Sequence, residues 1–405
     1  MPQALARLRT NLDFMPSPVP DRPGLLIRDA FRYSDVTLII PPPLIECLRC
    51  FDGESTELDL RQELVRITGD FQVGELESNL MDALSSSGFL EDETYARLRV
   101  ERHREFSSEP SREPTHAGSA YPDEVGPLTE TMRGYMSGAN SLASGNLIGI
   151  AAPHVSPEGG WQSYKAAYAA LTPDYKDRTF VVLGTSHYGE PERFGLTRKP
   201  FATPFGESKV DLPLLEALAQ AAPDAILMED YCHSIEHSIE FQVLFLQYVY
   251  GPDIRILPIL CGSYARSIYV GGMPEDHEQV RRFFGALGEM AEKERERLFW
   301  VLGIDMAHMG RRYGDPFTAT ADRGEMADVA VRDRARIDRV LTGDSEGFWD
   351  LVQDGQDDLK WCGSSPLYTF LKAVPGARGE LHRYEQWNID EQSVVSFAGI
   401  SFTKE

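Results

Sequence analysis

Apolar residues in this chain gather in short, β-branched runs, and three of these share one design. Leu147–Ala152 leads into Pro153-His154, and Phe180–Leu183 into Gly184-Thr185-Ser186-His187. Leu298–Leu302 leads into Gly303-Ile304-Asp305, with His308 three residues on. Short apolar runs between turn residues read as strands of a parallel sheet buried on both faces. Loops that leave such strands at their carboxyl ends converge on one crevice. Residues more than a hundred positions apart are thereby expected at a single site.

Between and after these runs the apolar spacing turns helical. It predicts helices at Trp161–Leu171, Leu212–Ala221, Glu236–Tyr250, Asp276–Glu294, Gly324–Leu341 and Pro366–Ala373, with further strands at Ile226–Met228, Ile254–Leu260, Leu381–Tyr384 and Ser393–Phe402. That order predicts an α/β domain whose mixed sheet is sandwiched by helices.

The first hundred residues read differently. Residues 1–22 are polar and end in Pro16-Ser17-Pro18-Val19-Pro20, which predicts a flexible lead-in. Strand-like runs follow at Leu25–Arg28 and Val36–Ile40. Helical spacing then appears at Leu44–Phe51, at Thr56–Thr68 with Thr56 as cap, and at Val73–Ser87 stopped by Gly88. Phe89-Leu90 begins a short strand or wing. Residues 101–116 are charged, rich in Ser and Pro and without period, which predicts a linker before a second domain at 117–405. The run from Pro42 to Asp92, with Phe51-Asp52-Gly53-Glu54-Ser55-Thr56 between helices and Ser87-Gly88-Phe89-Leu90 near the end, resembles the PqqD-like winged-helix family. That resemblance assigns residues 23–100 to a winged helix that recognises protein or peptide.

Charge narrows the partners. The chain of 405 residues carries a formal net charge of −23. Residues 1–116 hold 13 Arg, no Lys and 21 Asp+Glu. A nucleic-acid reader needs a basic face, so no nucleic acid is expected. No apolar run approaches the ~18 residues of a membrane span, and no signal peptide follows Arg7 and Arg9, so a cytoplasmic protein is expected. Five dispersed cysteines point to reduced thiols rather than a disulfide framework.

Candidate chemistry lies after the strands. Imidazoles at His154 and His187 are ligands for borderline metals, and each alone also reads as a hydrogen-bonded core histidine. Cys362, in Trp361-Cys362-Gly363-Ser364-Ser365-Pro366 before a predicted helix, is expected as an accessible thiolate, or else as a small buried hydrophobe. Two His and a thiolate would make a three-ligand centre with open positions. Asp305 and His308 read as a carboxylate orienting an imidazole. His233 and His237 stand four apart on a predicted helix, but Ser234 replaces the Glu of a zinc protease motif. His237 is expected at the crevice and His233 in solvent. Cys47 and Cys50 lack the second pair of a zinc ribbon. Phosphate loops, dinucleotide fingerprints and nucleophile elbows are absent from the sequence.

These residues fall into six ordered motifs that resemble the Memo family, a relative of the class III non-haem-iron extradiol dioxygenases. They are Ala117-Gly118-Ser119-Ala120-Tyr121-Pro122, Ala152-Pro153-His154, Leu183-Gly184-Thr185-Ser186-His187, Glu236-His237-Ser238-Ile239-Glu240, Asp305–His308 and Cys362-Gly363 with Pro366. The resemblance implies one metal ion on His154, His187 and Cys362, with iron first and copper or zinc as alternatives. It implies His237, Asp305 and His308 in the pocket, with His308 as acid–base. It also implies a radical SAM enzyme and an AMMECR-type protein as partners. After Pro153-His154 the family carries Ala-Gly-Tyr-x-Tyr-Ser-Gly, whereas this chain has Val155–Trp161 without either tyrosine, which implies a remodelled rim. Three functions stay open at this stage. They are a metal-dependent redox enzyme on a small or peptide-borne substrate, a non-catalytic metal- or peptide-binding adaptor, and a zinc hydrolase.

Overall fold

The computed structural model describes residues 4–138 and 147–404. The chain divides into two compact units, Met1–Ser108 and Glu109–Glu405.

The smaller unit holds a three-stranded antiparallel sheet in the order Leu12–Pro16, Leu25–Asp29, Thr37–Ile40. A 3-10 helix, Pro42–Cys50, and α-helices Glu57–Thr68, Gly74–Ser86 and Glu93–Ser108 follow. Thr56 starts the first α-helix by donating its backbone N–H and its hydroxyl to Asp59, both at 2.7 Å. Leu60, Leu64, Leu80 and Leu84, at i and i+4, are buried against Ile27, Ile40 and Phe89. Each such leucine contributes on the order of 1.5–3 kcal/mol of burial.

The sequence is misleading at both edges of this unit. Of the expected lead-in over 1–22, the described residues 4–22 are not loose, because Leu5 and Leu12 enter the core and Leu12–Pro16 is a sheet strand. Arg9 is 1% exposed and grips Asp29 through two parallel bonds of 2.9 and 3.0 Å. Asp29 also accepts the backbone N–H groups of Phe31, Tyr33 and Ser34, so the buried charges are fully satisfied. The expected linker at 101–116 is likewise ordered. Its first half continues the helix to Ser108, and its second half packs on the larger unit through Arg112. The expected wing at Phe89-Leu90 is reduced to a single bridge, Leu8 to Leu90.

The larger unit is built on an 11-stranded mixed sheet. Its centre is four parallel strands in the order Leu147–Ala152, Leu298–Gly303, Thr179–Thr185, Arg255–Cys261. Almost every residue in them is buried, as their unbroken apolar pattern requires. Ser393–Lys404 adds antiparallel to Leu147–Ala152 and pairs with the long strand Ala377–Asp390. Helices Pro157–Tyr168, Leu212–Ala221, Glu240–Tyr250, Glu278–Lys293, Glu325–Leu341, Ser345–Gln353 and Ser364–Ala373 accompany the sheet. Because the four central strands run in parallel, Ala152, Thr185, Cys261 and Gly303 all end on one side. Among the described residues no helix is long and apolar enough to cross a membrane.

Candidate metal centre

His154 lies two residues beyond Ala152, and His187 two beyond Thr185. The ends of the two strands that flank Leu298–Gly303 therefore bring the two imidazoles together, with ring centroids 5.0 Å apart. His237 is the third ring, 5.2 Å from His154 and 5.1 Å from His187. One ligand nitrogen from each of the three lies within 4.8 Å of the other two.

His237 arrives by a route the sequence reading does not give. The single helix expected over Glu236–Tyr250 is broken. A short helix, Cys232–Ile235, ends at Glu236 in extended conformation, and Glu240–Tyr250 starts afresh. The break lies directly on the strand ends. A Cβ on Gly184 would meet Ser238 Oγ at 2.5 Å, and one on Gly303 would meet the Ser238 carbonyl oxygen at 2.1 Å. Glycine at these two strand positions is thus the local signal of a close approach, of backbone at Gly303 and of side chains at Gly184. With the helix broken, His233 and His237 do not share a face. His233, expected in solvent, is 1% exposed and donates from Nε2 to the Gly195 carbonyl at 3.0 Å. Burial holds it down to about 4, that is, neutral.

The three rings are oriented from behind. His154 donates its Nδ1 proton to the Gly303 carbonyl at 3.0 Å, which leaves Nε2 as the lone-pair nitrogen. Glu236, 2% exposed, serves the other two. It accepts the backbone N–H and the Nδ1 of His187 at 2.9 and 3.1 Å, and the backbone N–H groups of His237 and Ser238 at 2.8 and 3.1 Å. His237 Nδ1 lies 3.2 Å from the same carboxylate. A carboxylate behind an imidazole fixes its tautomer and ring plane and raises its basicity as a ligand. Burial pulls His187 down, but the Glu236 charge, the bonds to Cys362 and Glu236 and the Cys362 charge together outweigh it and hold the ring well above the ordinary imidazole range. Burial and the neighbouring rings hold His154 well below that range.

Cys362 completes the cluster, with Sγ 3.2 Å from His154 Nε2. The preceding residues are held tightly. Gln356, Asp357 and Lys360 all have positive φ, and buried Asp333 accepts Trp361 Nε1 at 2.6 Å, Tyr384 Oη at 2.7 Å and Ser396 Oγ at 2.6 Å. The thiol does not have the lowered pKa expected of a helix N-terminus. Burial pushes it up against the pull of His187.

Asp305 and His308 stand alongside, in altered roles. Asp305 accepts the backbone N–H of His154 at 2.9 Å and is 2% exposed. The His308 ring is oriented by carbonyls, not by Asp305, its Nδ1 donating to Met306 at 2.9 Å and Lys360 at 3.1 Å. Its Nε2 is left as the proton-accepting nitrogen. Burial, outweighing the Asp305 charge, holds His308 down to about 4. Tyr313 caps this side edge-on, its ring 5.0 Å from that of His308.

Three imidazole nitrogens and one thiol at these separations match the donor chemistry of a borderline transition metal. Sequence reasoning grouped His154, His187 and Cys362 as one ligand set, with Asp305, His308 and His237 in the same pocket. It missed Glu236 as the common support of His187 and His237.

Comparison with known proteins bears on the same residues. Positions 112–401 match the family model described as Memo-like protein. A MEMO1 family protein of Aquifex aeolicus is 26% identical over 381 residues, which is 93% of this chain and 95% of that protein. One from Methanococcoides burtonii is 32% identical over 67% of this chain and 92% of its own length. One from Desulfurococcus amylolyticus is 25% identical over 72% of this chain and 98% of its own length.

Proposed function

The chain belongs to the Memo-like protein family, and from that premise we propose that it is a metal-dependent redox enzyme holding one iron ion and acting on a small or peptide-borne substrate. The observation that carries the reading is the convergence of His154, His187, His237 and Cys362 from separate strand ends and loops, with ligand nitrogens within 4.8 Å and Sγ at 3.2 Å. His154, His187 and Cys362 are the proposed ligands, and His237 is the further donor beside them. When bound, the ion supplies Lewis acidity and one-electron chemistry. The protein does the rest. Glu236 and the Gly303 carbonyl aim the imidazoles inward. His308 is neutral, with Nε2 free to take a proton from a substrate hydroxyl or bound water. Buried Asp305 compensates the positive charge that then develops on His308.

The same donors accept copper, and they accept zinc, with which the site would run hydrolysis. Metal analysis of anaerobically purified protein separates these readings. About one iron or copper per chain, lost in His154→Ala, His187→Ala and Cys362→Ala, supports the redox reading. Stoichiometric zinc favours the hydrolase, and full occupancy in Cys362→Ala removes the thiol from the ligand set. A centre that binds metal yet keeps it in His308→Gln with no change in any reaction leaves the adaptor reading.

A second reading concerns the smaller unit, for which we propose peptide recognition. Thr37–Ile40 is an edge strand, paired on one side to Leu25–Asp29, and beside it lies a cavity of about 520 Å³ lined by Arg22, Pro23, Thr37, Leu38, Ile39, Pro41 and Pro42. An exposed edge can accept an extended peptide through backbone hydrogen bonds. A panel of extended peptides titrated against the full chain tests this, and loss of binding in Leu38→Glu would locate it.

A further inference from the structure

The segment that begins the larger unit carries an arginine whose placement exceeds what packing alone requires. Arg112 and Glu240 form an ion pair of 2.5 Å with both side chains 0% exposed. Arg112 Nε also donates to the His233 carbonyl and Nη2 to the Glu236 carbonyl, each at 2.7 Å, and Nη1 donates to the Glu113 carbonyl at 2.8 Å. Glu240 in turn accepts the backbone N–H and Nδ1 of His116 at 3.0 and 2.9 Å. The His116 ring stands edge-on to that of His237, with centroids 5.6 Å apart.

Three of these acceptors, the His233 and Glu236 carbonyls and the Glu240 carboxylate, belong to the stretch 233–240. This is the broken-helix segment that carries Glu236 and His237. Because the helix is interrupted there, the His233 and Glu236 carbonyls lie at the break, and the planar guanidinium supplies donors in the fixed fork that two carbonyls and a carboxylate require. A lysine has the charge but not the fork.

We propose that Arg112 is a positioning residue for the metal centre: by clamping residues 233–240 it fixes the imidazole of His237 and the carboxylate that orients His187. The inference rests on the metal-centre reading above. It adds a residue that touches no ligand atom and lies 125 positions from His237 in the sequence.

The test uses the full chain and cobalt(II) as probe, because its visible absorption bands report coordination number and donor set. Arg112→Gln/Glu240→Gln removes the buried charges together, so neither is stranded, while withdrawing the fork from the carbonyls. Arg112→Lys keeps the charge opposite Glu240 and withdraws only the fork. Both are expected to bind cobalt about 10- to 100-fold more weakly in chelator competition, the range typical of lost outer support. Their bands should shift toward those of His237→Ala, while circular dichroism keeps the wild-type spectrum. Glu240→Gln alone, with the carbonyl bonds kept, should lie closer to wild type. Affinity within twofold of wild type and unchanged bands in a folded Arg112→Lys or double variant overturn the inference. If the double variant does not fold, Arg112→Lys decides by the same two outcomes. A wild-type chain that binds no cobalt overturns the metal-centre reading and this inference with it, whereas wild-type binding beside unaltered variants overturns this inference alone.

Discussion

A single buried carboxylate, Glu236, takes bonds from the two imidazoles at 187 and 237 and from three backbone N–H groups. Replacing it by Gln keeps the shape but removes the charge and turns one acceptor oxygen into a donor facing N–H groups. Glu236→Gln is expected to lower metal affinity about 10- to 100-fold, read by chelator competition, and undiminished affinity would remove Glu236 from its supporting role. His233 offers a separate test by acid. Its folded-state value is held down to about 4 by burial, against about 6.5 for a free imidazole. Above pH ~6.5 both states are neutral there and nothing changes. As pH falls from there to about 4, the unfolded chain takes up a proton that the folded chain refuses, so stability falls. Below that value both states are protonated and the loss is complete. Urea midpoints at neutral pH and near pH 4 should therefore converge more in His233→Gln than in wild type. An identical drop in both would show that another group carries this acid sensitivity.

At the scale of elements, the site depends on how closely one broken helix lies on two strand ends. Gly303→Ala places a methyl 2.1 Å from the Ser238 carbonyl oxygen and 3.0 Å from the Gln242 side chain. Backbone must move to admit it, at a cost of about 1–3 kcal/mol. The expected result is a lower unfolding midpoint together with weaker metal binding. A variant as stable as wild type would mean that 236–239 is free to retreat. The same geometry explains which features were readable in advance. His154 and His187 follow unbroken apolar runs, so strand spacing alone placed both beyond strand ends. The helical period around Leu244 and Phe245 is equally plain, and it extends back through His237 as though the helix did too. What stops it is tertiary, the descent of Ser238 onto Gly184 and Gly303 and the capture of carbonyls by Arg112. Neither leaves a periodic trace. Short strands such as Phe194–Leu196 and His308–Gly310 escape for a related reason, since three residues cannot establish an alternation. Arg112 lies in a stretch whose composition is that of a tether, and only its partners, more than 120 positions away, make it core.

For the whole molecule, charge and division into units set the expectations. With a net charge of −23, the full chain should show no duplex-DNA binding even at low salt. A tight complex that dissolves steeply as salt rises would contradict that expectation. The Desulfurococcus relative aligns over 98% of its own length while covering 72% of this chain, so a protein of this family can lack the equivalent of more than a quarter of it. A version spanning Glu109–Glu405, which retains Arg112, should therefore hold metal as tightly as the full chain, and a large drop in affinity would tie the centre to the smaller unit.

The ordered N-terminal arm has a practical consequence for anyone who trims the protein. Composition invites a start at residue 23, past the Pro16–Pro20 run. That cut removes Leu12–Pro16, leaves Leu25–Asp29 as a raw sheet edge, and strands Asp29 without Arg9. An unguarded edge is a template for pairing with other copies. Such a product should run as a concentration-dependent series of multimers on gel filtration, and a start at residue 4 should not.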